Sequence, residues 1–235
     1  MRIIGEKING TRQRVAQAIE ERNAAFIRDL AAKQAEAGAA WLDVNAGTRR
    51  SREPDDLIWL VETIQPAVEI PLCLDSANPQ ALAAAIQVAE RTPMINSISG
   101  EPRRLEGILP LVAEHGCPVI ALAMDETGIP ETCERRMEVV RKVMEAARAS
   151  GVPDGNVYLD PLAMTLATNT DSALITLDTL RAIRREFPDA HLIMGLSNIS
   201  FGLPARSYIN RAFLTLALAA GLDCAILDPL DREMK

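Results

Sequence analysis

Pro71-Leu72-Cys73-Leu74-Asp75-Ser76 is a short, wholly apolar run that ends abruptly in a carboxylate, and a helix begins almost at once behind it. Asn78 is a good cap for that helix and Pro79 fits its first turn, where a missing N–H costs nothing. The pattern recurs along the chain. Trp41-Leu42 runs to Asp43, Met94-Ile95 to Asn96, and Val157-Tyr158-Leu159 to Asp160. Leu192 to Leu196 leads to Ser197-Asn198, and Cys224-Ala225-Ile226-Leu227 ends at Asp228. Buried strands that repeatedly present a polar group at their carboxyl ends are how a parallel α/β barrel assembles one shared site.

Between these strands the spacing predicts helices. Phe26, Ile27, Leu30 and Ala31 follow Asn23, and Leu57, Leu60, Val61 and Ile64 form a clear apolar face. Met137, Val140, Val143, Met144 and Ala147 make another stripe, as do Leu174, Leu177 and Leu180, and a last helix spans about Ser207 to Ala220. With a first strand at Arg2–Gly5, followed by a loop Glu6–Gly10, this gives eight strands and seven helices in alternation. Alternation implies parallel strands joined by right-handed crossovers. An open doubly wound sheet would alternate too, but Gly5-Glu6-Lys7-Ile8-Asn9-Gly10 lacks its glycine-rich phosphate fingerprint. The expected fold is a (β/α)8 TIM barrel forming a single domain over residues 1–235, with its last helix missing. Too few residues follow Asp228 to build that helix, so we expect a C-terminally truncated barrel with exposed Leu or Ala along the open seam.

Composition narrows the function. Across 235 residues, 48% are hydrophobic but only 3% aromatic, which indicates a large aliphatic core. The net charge of −7, with basic residues scattered, disfavours nucleic acid as partner. Cys73, Cys117, Cys133 and Cys224 show no CxxC pairing and read as buried reduced thiols. His115 and His191 have no metal-ligand spacing, so no protein-bound metal is expected. The N-terminus is charged too early for a signal peptide, and Ala212–Gly221 is too short to span a bilayer. A soluble cytoplasmic protein without membrane contact is expected.

Each strand-end residue has a plain reading as a turn or cap. Asp75 resists it because Asn78 already caps the next helix, and Asn198 lies well upstream of the helix near Ser207. Taken together, Asp75, Asn96, Asp160 and Asn198 form a set of acceptors and amides with no Lys or His among them. That disfavours Schiff-base chemistry and a His-activated nucleophile. It suits a flat heterocycle rich in N–H donors, since a carboxylate accepts two parallel N–H bonds well. A pterin has such an edge.

Several motifs carry a resemblance. Ile3-Ile4-Gly5-Glu6-Lys7-Ile8-Asn9-Gly10, Leu42-Asp43-Val44-Asn45-Ala46-Gly47, Leu72–Ser76 and Met94–Ser97 are similar to methyltetrahydrofolate:corrinoid protein methyltransferases. So are Thr127-Gly128-Ile129-Pro130, Leu159-Asp160-Pro161-Leu162, Gly195–Ser200 and Ile209-Asn210-Arg211. These are pterin-binding TIM barrels related to the folate domain of cobalamin-dependent methionine synthase and, more distantly, to dihydropteroate synthase. The resemblance implies transfer of the N5 methyl group between methyltetrahydrofolate and the cobalt of cobalamin carried by a separate corrinoid protein, in either direction. It implies pterin binding by Asp75, Asn96 and Asp160, with Asn198 reaching N5 and so acting, with Asp160 and Asp75, in catalysis. Glu6, Asn9, Asp43 and Asn45 would form a second tier on adjacent loops. Arg206 or Arg211 would meet the glutamate tail, a solvated surface arginine being the plainer reading. A homodimer is the family's usual state. Two alternatives stand beside this reading: a non-catalytic folate-binding module, and a dihydropteroate synthase-like enzyme, whose characteristic N-terminal Asn-Val-Thr-Pro-Asp-Ser-Phe-type loop is absent.

Overall fold

A computed structural model describes residues 1–231. Eight parallel strands close into a barrel in sequence order, β1 next to both β2 and β8. They are β1 (Arg2–Asn9), β2 (Trp41–Asn45), β3 (Leu72–Asp75), β4 (Met94–Ser99), β5 (Val119–Leu122), β6 (Val157–Asp160), β7 (His191–Gly195) and β8 (Cys224–Leu227). The helices around them are α1 (Gln13–Glu20), α2 (Ala24–Glu36), α3 (Glu53–Ile64), α4 (Pro79–Val88), α5 (Pro102–His115), α6 (Cys133–Ala149), α7 (Ser172–Glu186) and α8 (Arg206–Ala219). The expected TIM barrel is the observed fold.

Strand alternation sorts the apolar residues into two cores. Leu42, Val44, Leu72, Leu74, Ile95, Val119, Leu159, Leu192 and Met194 face outward and are buried under the helices. Ile4, Cys73, Met94, Ile120, Tyr158, Ile193 and Cys224 fill the barrel itself. This is a packed interior rather than a pore. The amino-terminal end is sealed further by Arg2, whose guanidinium donates to Tyr158 Oη at 2.8 Å, meets His191 Nδ1 at 3.0 Å and lies over the Trp41 ring.

The helices form where the apolar spacing placed them. Asn78 accepts from the Gln80 N–H at 3.2 Å and caps α4, with Pro79 at its start. Asn23 does the same for α2, and Met137, Val140, Val143, Met144 and Ala147 are all buried on α6.

Four differences from the sequence reading have physical causes. The helix α1 was not anticipated: it is short and has no side-chain cap, although Val15, Ala18 and Ile19 carry helical spacing and are buried. The strand β1 continues past Gly5 to Asn9 because a register shift between Gly5 and Ile8 lets it stay paired with β2. Buried Gln34 of α2 supports that irregularity, accepting from the Lys7 N–H at 3.0 Å. Likewise β4 extends to Ser99, beyond the expected end at Asn96. Leu174 points outward at 62% exposure, and Thr176, Leu177, Leu180 and Ile183 form the buried face of α7 instead.

Among the described residues no helix follows β8, and residues 232–235 lie outside them. Leu216 and Leu218 on α8 are exposed. No described helix is long and apolar enough to cross a membrane.

Two glycines lock the tops of β1 and β2 together. The Gly10 N–H donates to Asn45 O at 2.8 Å, and a Cβ on Gly10 would lie 1.9 Å from Ala46 O. Gly47, at φ +61°, is also packed against Gly10, whose carbonyl carbon a Cβ there would meet at 2.5 Å. Overpacking against backbone, which cannot rotate away, should make Gly10→Ala about 1–3 kcal/mol less stable in urea unfolding. Unchanged stability would mean that these loops separate freely.

Candidate active site

The inward-facing rung at the carboxyl ends of the strands is polar, and the rungs below it are apolar except for Asp43. Asp75 ends β3 and its Cα is paired in register with that of Asn96 on β4. Two strands further on, Asp160 at the end of β6 is paired with Leu122 at the end of the intervening β5. Asn198 sits in the 3-10 turn Leu196–Ser200 that leaves β7. The four residues singled out from sequence thus share one end of the barrel. Leu122 and Ile226, partly buried above the interior core, supply apolar surface within the same rim.

Each polar group is held by a neighbour. Asn45 Nδ2 donates to Asp75 Oδ2 at 2.9 Å, and Asn96 Nδ2 donates to Asp43 Oδ1 at 3.0 Å. Asp160 Oδ1 accepts the Leu162 N–H at 2.7 Å, and the Gly195 N–H also supports this carboxylate. Asn198 is exposed, and among the described residues its side-chain amide has no hydrogen-bond partner. A Cβ on Gly195 would lie 3.1 Å from Asn198 Nδ2, so the absent side chain at the end of β7 leaves room for that amide.

Glu6 and Asn9 lie on β1, and Asp43 and Asn45 on β2, rather than on adjacent loops. The register shift in β1 carries the strand farther up than hydrophobicity alone indicated. Glu6 pairs with Arg12 at 3.2 Å. Asn9 Oδ1 is occupied locally by the N–H and hydroxyl of Thr11. Arg206 donates to Ser197 O at 2.8 Å and to Ser200 Oγ at 3.1 Å, bracing the turn that carries Asn198.

Sequence reasoning passed over two residues. Arg136 on α6 is buried, and its guanidinium donates to Pro130 O, Pro161 O and Leu162 O at 2.8–2.9 Å, stitching the loops after β5 and β6. Its signal was a cation set in an apolar stripe with Val140 and Val143. Glu53, at the start of α3, accepts from Ser76 Oγ and anchors the segment that follows Asp75.

The rim is dense in carboxyls that resist ionisation. Burial pushes Asp160 up from 3.8 to about 7, against hydrogen bonds from Leu162 and Gly195 and the Arg136 charge. Burial and the neighbouring Asp75 carboxylate push Asp43 up to about 8. Asp75 and Glu6 are raised as well, chiefly by burial. Such groups are poised to accept N–H donors once a ligand displaces water, and to release a proton as they do so.

Among the described residues, the carboxyl end of this parallel barrel thus gathers carboxylates, amides and a little apolar surface. The family model described as pterin binding enzyme matches residues 5–228. A methylcorrinoid:tetrahydrofolate methyltransferase from Eubacterium limosum is 42% identical over 100% of this chain and 87% of its own length. The methionine synthase of Mycobacterium tuberculosis is 29% identical over 96% of this chain but 20% of that protein. Among solved structures, a Xanthomonas albilineans dihydropteroate synthase with 4-aminobenzoic acid superposes with a TM-score of 0.74 at 21% identity. That superposition covers 97% of this chain and 86% of the synthase, and it speaks for the fold alone. The chain belongs to the pterin-binding enzyme family and, within it, to the methyltransferases.

Proposed function

We propose that the protein moves a methyl group between N5 of a tetrahydrofolate and the cobalt of a corrinoid carried by a separate protein. The observation that carries this reading is the rim itself: three acceptors, Asp75 and Asn96 on the adjacent strands β3 and β4 and Asp160 on β6, with the Asn198 amide, unpartnered among the described residues, in the turn that follows β7. The Eubacterium limosum relative's name, with the corrinoid as donor and tetrahydrofolate as acceptor, supports the substrate pair. The same site serves both directions.

Asp160 and Asp75 receive the N–H donors of the pterin edge, Asn96 adds a further contact, and Leu122 and Ile226 lie along the ring. The corrinoid supplies the metal nucleophile or methyl carrier, which is why no nucleophile is required of this chain. When the N5–methyl bond breaks, the methyl passes to cobalt, its electron pair stays on nitrogen, and a proton from solvent completes the tetrahydrofolate amine. The Asn198 amide N–H donates a hydrogen bond to that nitrogen, or to the water that delivers the proton, and itself keeps its hydrogen. The resemblance to the corrinoid-dependent methyltransferases also supports a homodimer.

The test is to mix the protein with cob(I)alamin and methyltetrahydrofolate and follow the cobalt spectrum. Conversion of cob(I)alamin to methylcobalamin is expected. Tight folate binding with no conversion, on free or protein-bound corrinoid, would favour the non-catalytic folate-binding module instead.

The raised carboxyls give folate binding a pH dependence. Ionised Asp160 is the form that accepts pterin N–H groups, so affinity for methyltetrahydrofolate should fall as pH drops through about 7. For a single proton the slope is at most about tenfold per pH unit. Stability of the ligand-free protein runs the other way. A carboxyl raised on folding contributes stability that is full below its ordinary value and lost as pH rises through about 7. Asp160→Asn, which keeps an acceptor for the Leu162 N–H, should flatten both profiles in titration calorimetry and urea unfolding. Persistence of both slopes would assign the proton elsewhere.

A further inference from the structure

We propose that Asp43 is a specificity-determining positioning residue that sets the orientation of the Asn96 amide and does not itself touch substrate. The inference rests on the pterin reading of the rim. Asp43 faces inward on β2, between the outward-facing Leu42 and Val44. Its Cα is level with that of Cys73, one inward position below Asp75, and it is only 4% exposed. It lies beneath the ring of acceptors rather than in it.

Among the described residues its side-chain partners are Asn96, whose Nδ2 it accepts at 3.0 Å, and the Cys73 thiol on the same inward level. An Asn amide has an acceptor end and a donor end, and fixing one presents the other. With the nitrogen turned down toward Asp43, Asn96 offers its carbonyl oxygen to the mouth. That oxygen has no partner among the described residues. The site therefore meets a donor edge with acceptors from Asp75, Asn96 and Asp160 together. Were the amide reversed, an N–H would stand among them and repel the same edge.

The surroundings of Asp43 favour this arrangement. It faces the Asp75 carboxyl and the Cys73 thiol on β3, the Asn96 amide on β4 and the Glu6 carboxyl on β1. No cation is among these groups, so Asn96 is the neighbour that offers a strong neutral donor. Burial and Asp75 push the Asp43 carboxyl up to about 8, and its unprotonated oxygen remains free to accept from Asn96 in either charge state.

The experiment is a double-mutant cycle on methyltetrahydrofolate affinity, joined to crystal structures of the ligand-free variants. Asp43→Ala should weaken binding about tenfold or more in the wild-type background and less than about twofold when Asn96 is already Ala, the non-additivity expected of residues acting as a unit. Asp43→Asn, which retains an acceptor oxygen, should restore affinity to within a few fold. In the ligand-free Asp43→Ala crystal the Asn96 side chain should leave its present rotamer or occupy more than one, whereas Asp43→Asn should keep it. Equal losses from Asp43→Ala in both backgrounds would overturn the inference. So would an unmoved Asn96 in the ligand-free Asp43→Ala crystal, a readout that needs no folate. Absence of folate binding by the wild-type protein would contradict the pterin reading instead, leaving the crystal comparison to decide the role of Asp43.

Discussion

Asn198→Ala should lower the rate of methyl transfer about 100- to 1000-fold while changing methyltetrahydrofolate affinity only a few fold. One preorganised donor aimed at developing charge typically contributes about 2.7–4 kcal/mol to a barrel enzyme's transition state as to any other. Asn198 has the properties such a donor requires. It is exposed at the mouth, it caps nothing, and its amide is unpaired among the described residues. Its position is nonetheless defined: Arg206 braces its turn through Ser197 and Ser200, and the lack of a side chain on Gly195 leaves its amide space. Because the amide gives up no protein hydrogen bond, its removal should barely disturb the pterin pocket. Asp75→Ala should behave oppositely, losing affinity first, since it removes a ring acceptor and frees Asn45. Rapid-mixing kinetics paired with equilibrium binding separates the two effects. Equal, small effects of both substitutions would argue against methyl transfer at this rim.

The second large effect is expected far from the reacting atoms. Arg136→Leu should destabilise the fold by about 3–5 kcal/mol, a large share of a typical domain's total of about 5–15 kcal/mol. The side chain is only 1% exposed and donates to Pro130 O, Pro161 O and Leu162 O. A leucine is shorter, so it fills only the part of the space nearest the backbone and leaves those carbonyls buried without donors. Leu162 makes the effect local as well as global. It holds φ at +65°, a conformation unfavourable for a side chain with a Cβ, and is pinned on both sides. Its N–H is held by Asp160 and its carbonyl by Arg136. Release of the carbonyl should let this corner relax and turn Asp160 away from the mouth, and loss of the Arg136 charge should raise the Asp160 carboxyl further. Urea unfolding should show the stability loss, and folate affinity should fall at pH 7 more than at pH 8. Arg136→Lys keeps the charge but not the fork, and should recover the pH dependence without recovering full stability.

What could be read from the sequence follows from which interactions are local. The runs ending at Asp75 and Asp160 advertised themselves because a barrel strand buried on both faces is apolar until its last residue, and those ending at Asp43 and Asn96 show the same break although β2 and β4 continue past it. Asn78-Pro79 and Asn23 marked helix starts because capping is decided within three residues. The parts that escaped depend on distant partners. Extension of β1 to Asn9 requires the register shift and the support of Gln34 from α2, neither of which leaves a local pattern. Arg136 was hidden because a helix stripe normally excludes cations; its partners are carbonyls about six and 25 residues away. Leu174 fitted the spacing of its helix yet faces outward, since Thr176 and Ser172 bury hydroxyls satisfied by backbone carbonyls on the side where leucine was expected.

The central claim is that Asp75, Asn96 and Asp160 hold one pterin ring at the open end of the barrel, within reach of Asn198. A crystal structure of the protein with methyltetrahydrofolate tests it most directly. The pterin edge should lie within hydrogen-bond distance of all three acceptors, with N5 turned toward the Asn198 amide. A ring bound on the outer helices, or at the mouth with its donor edge turned away from Asp75 and Asp160, would contradict it.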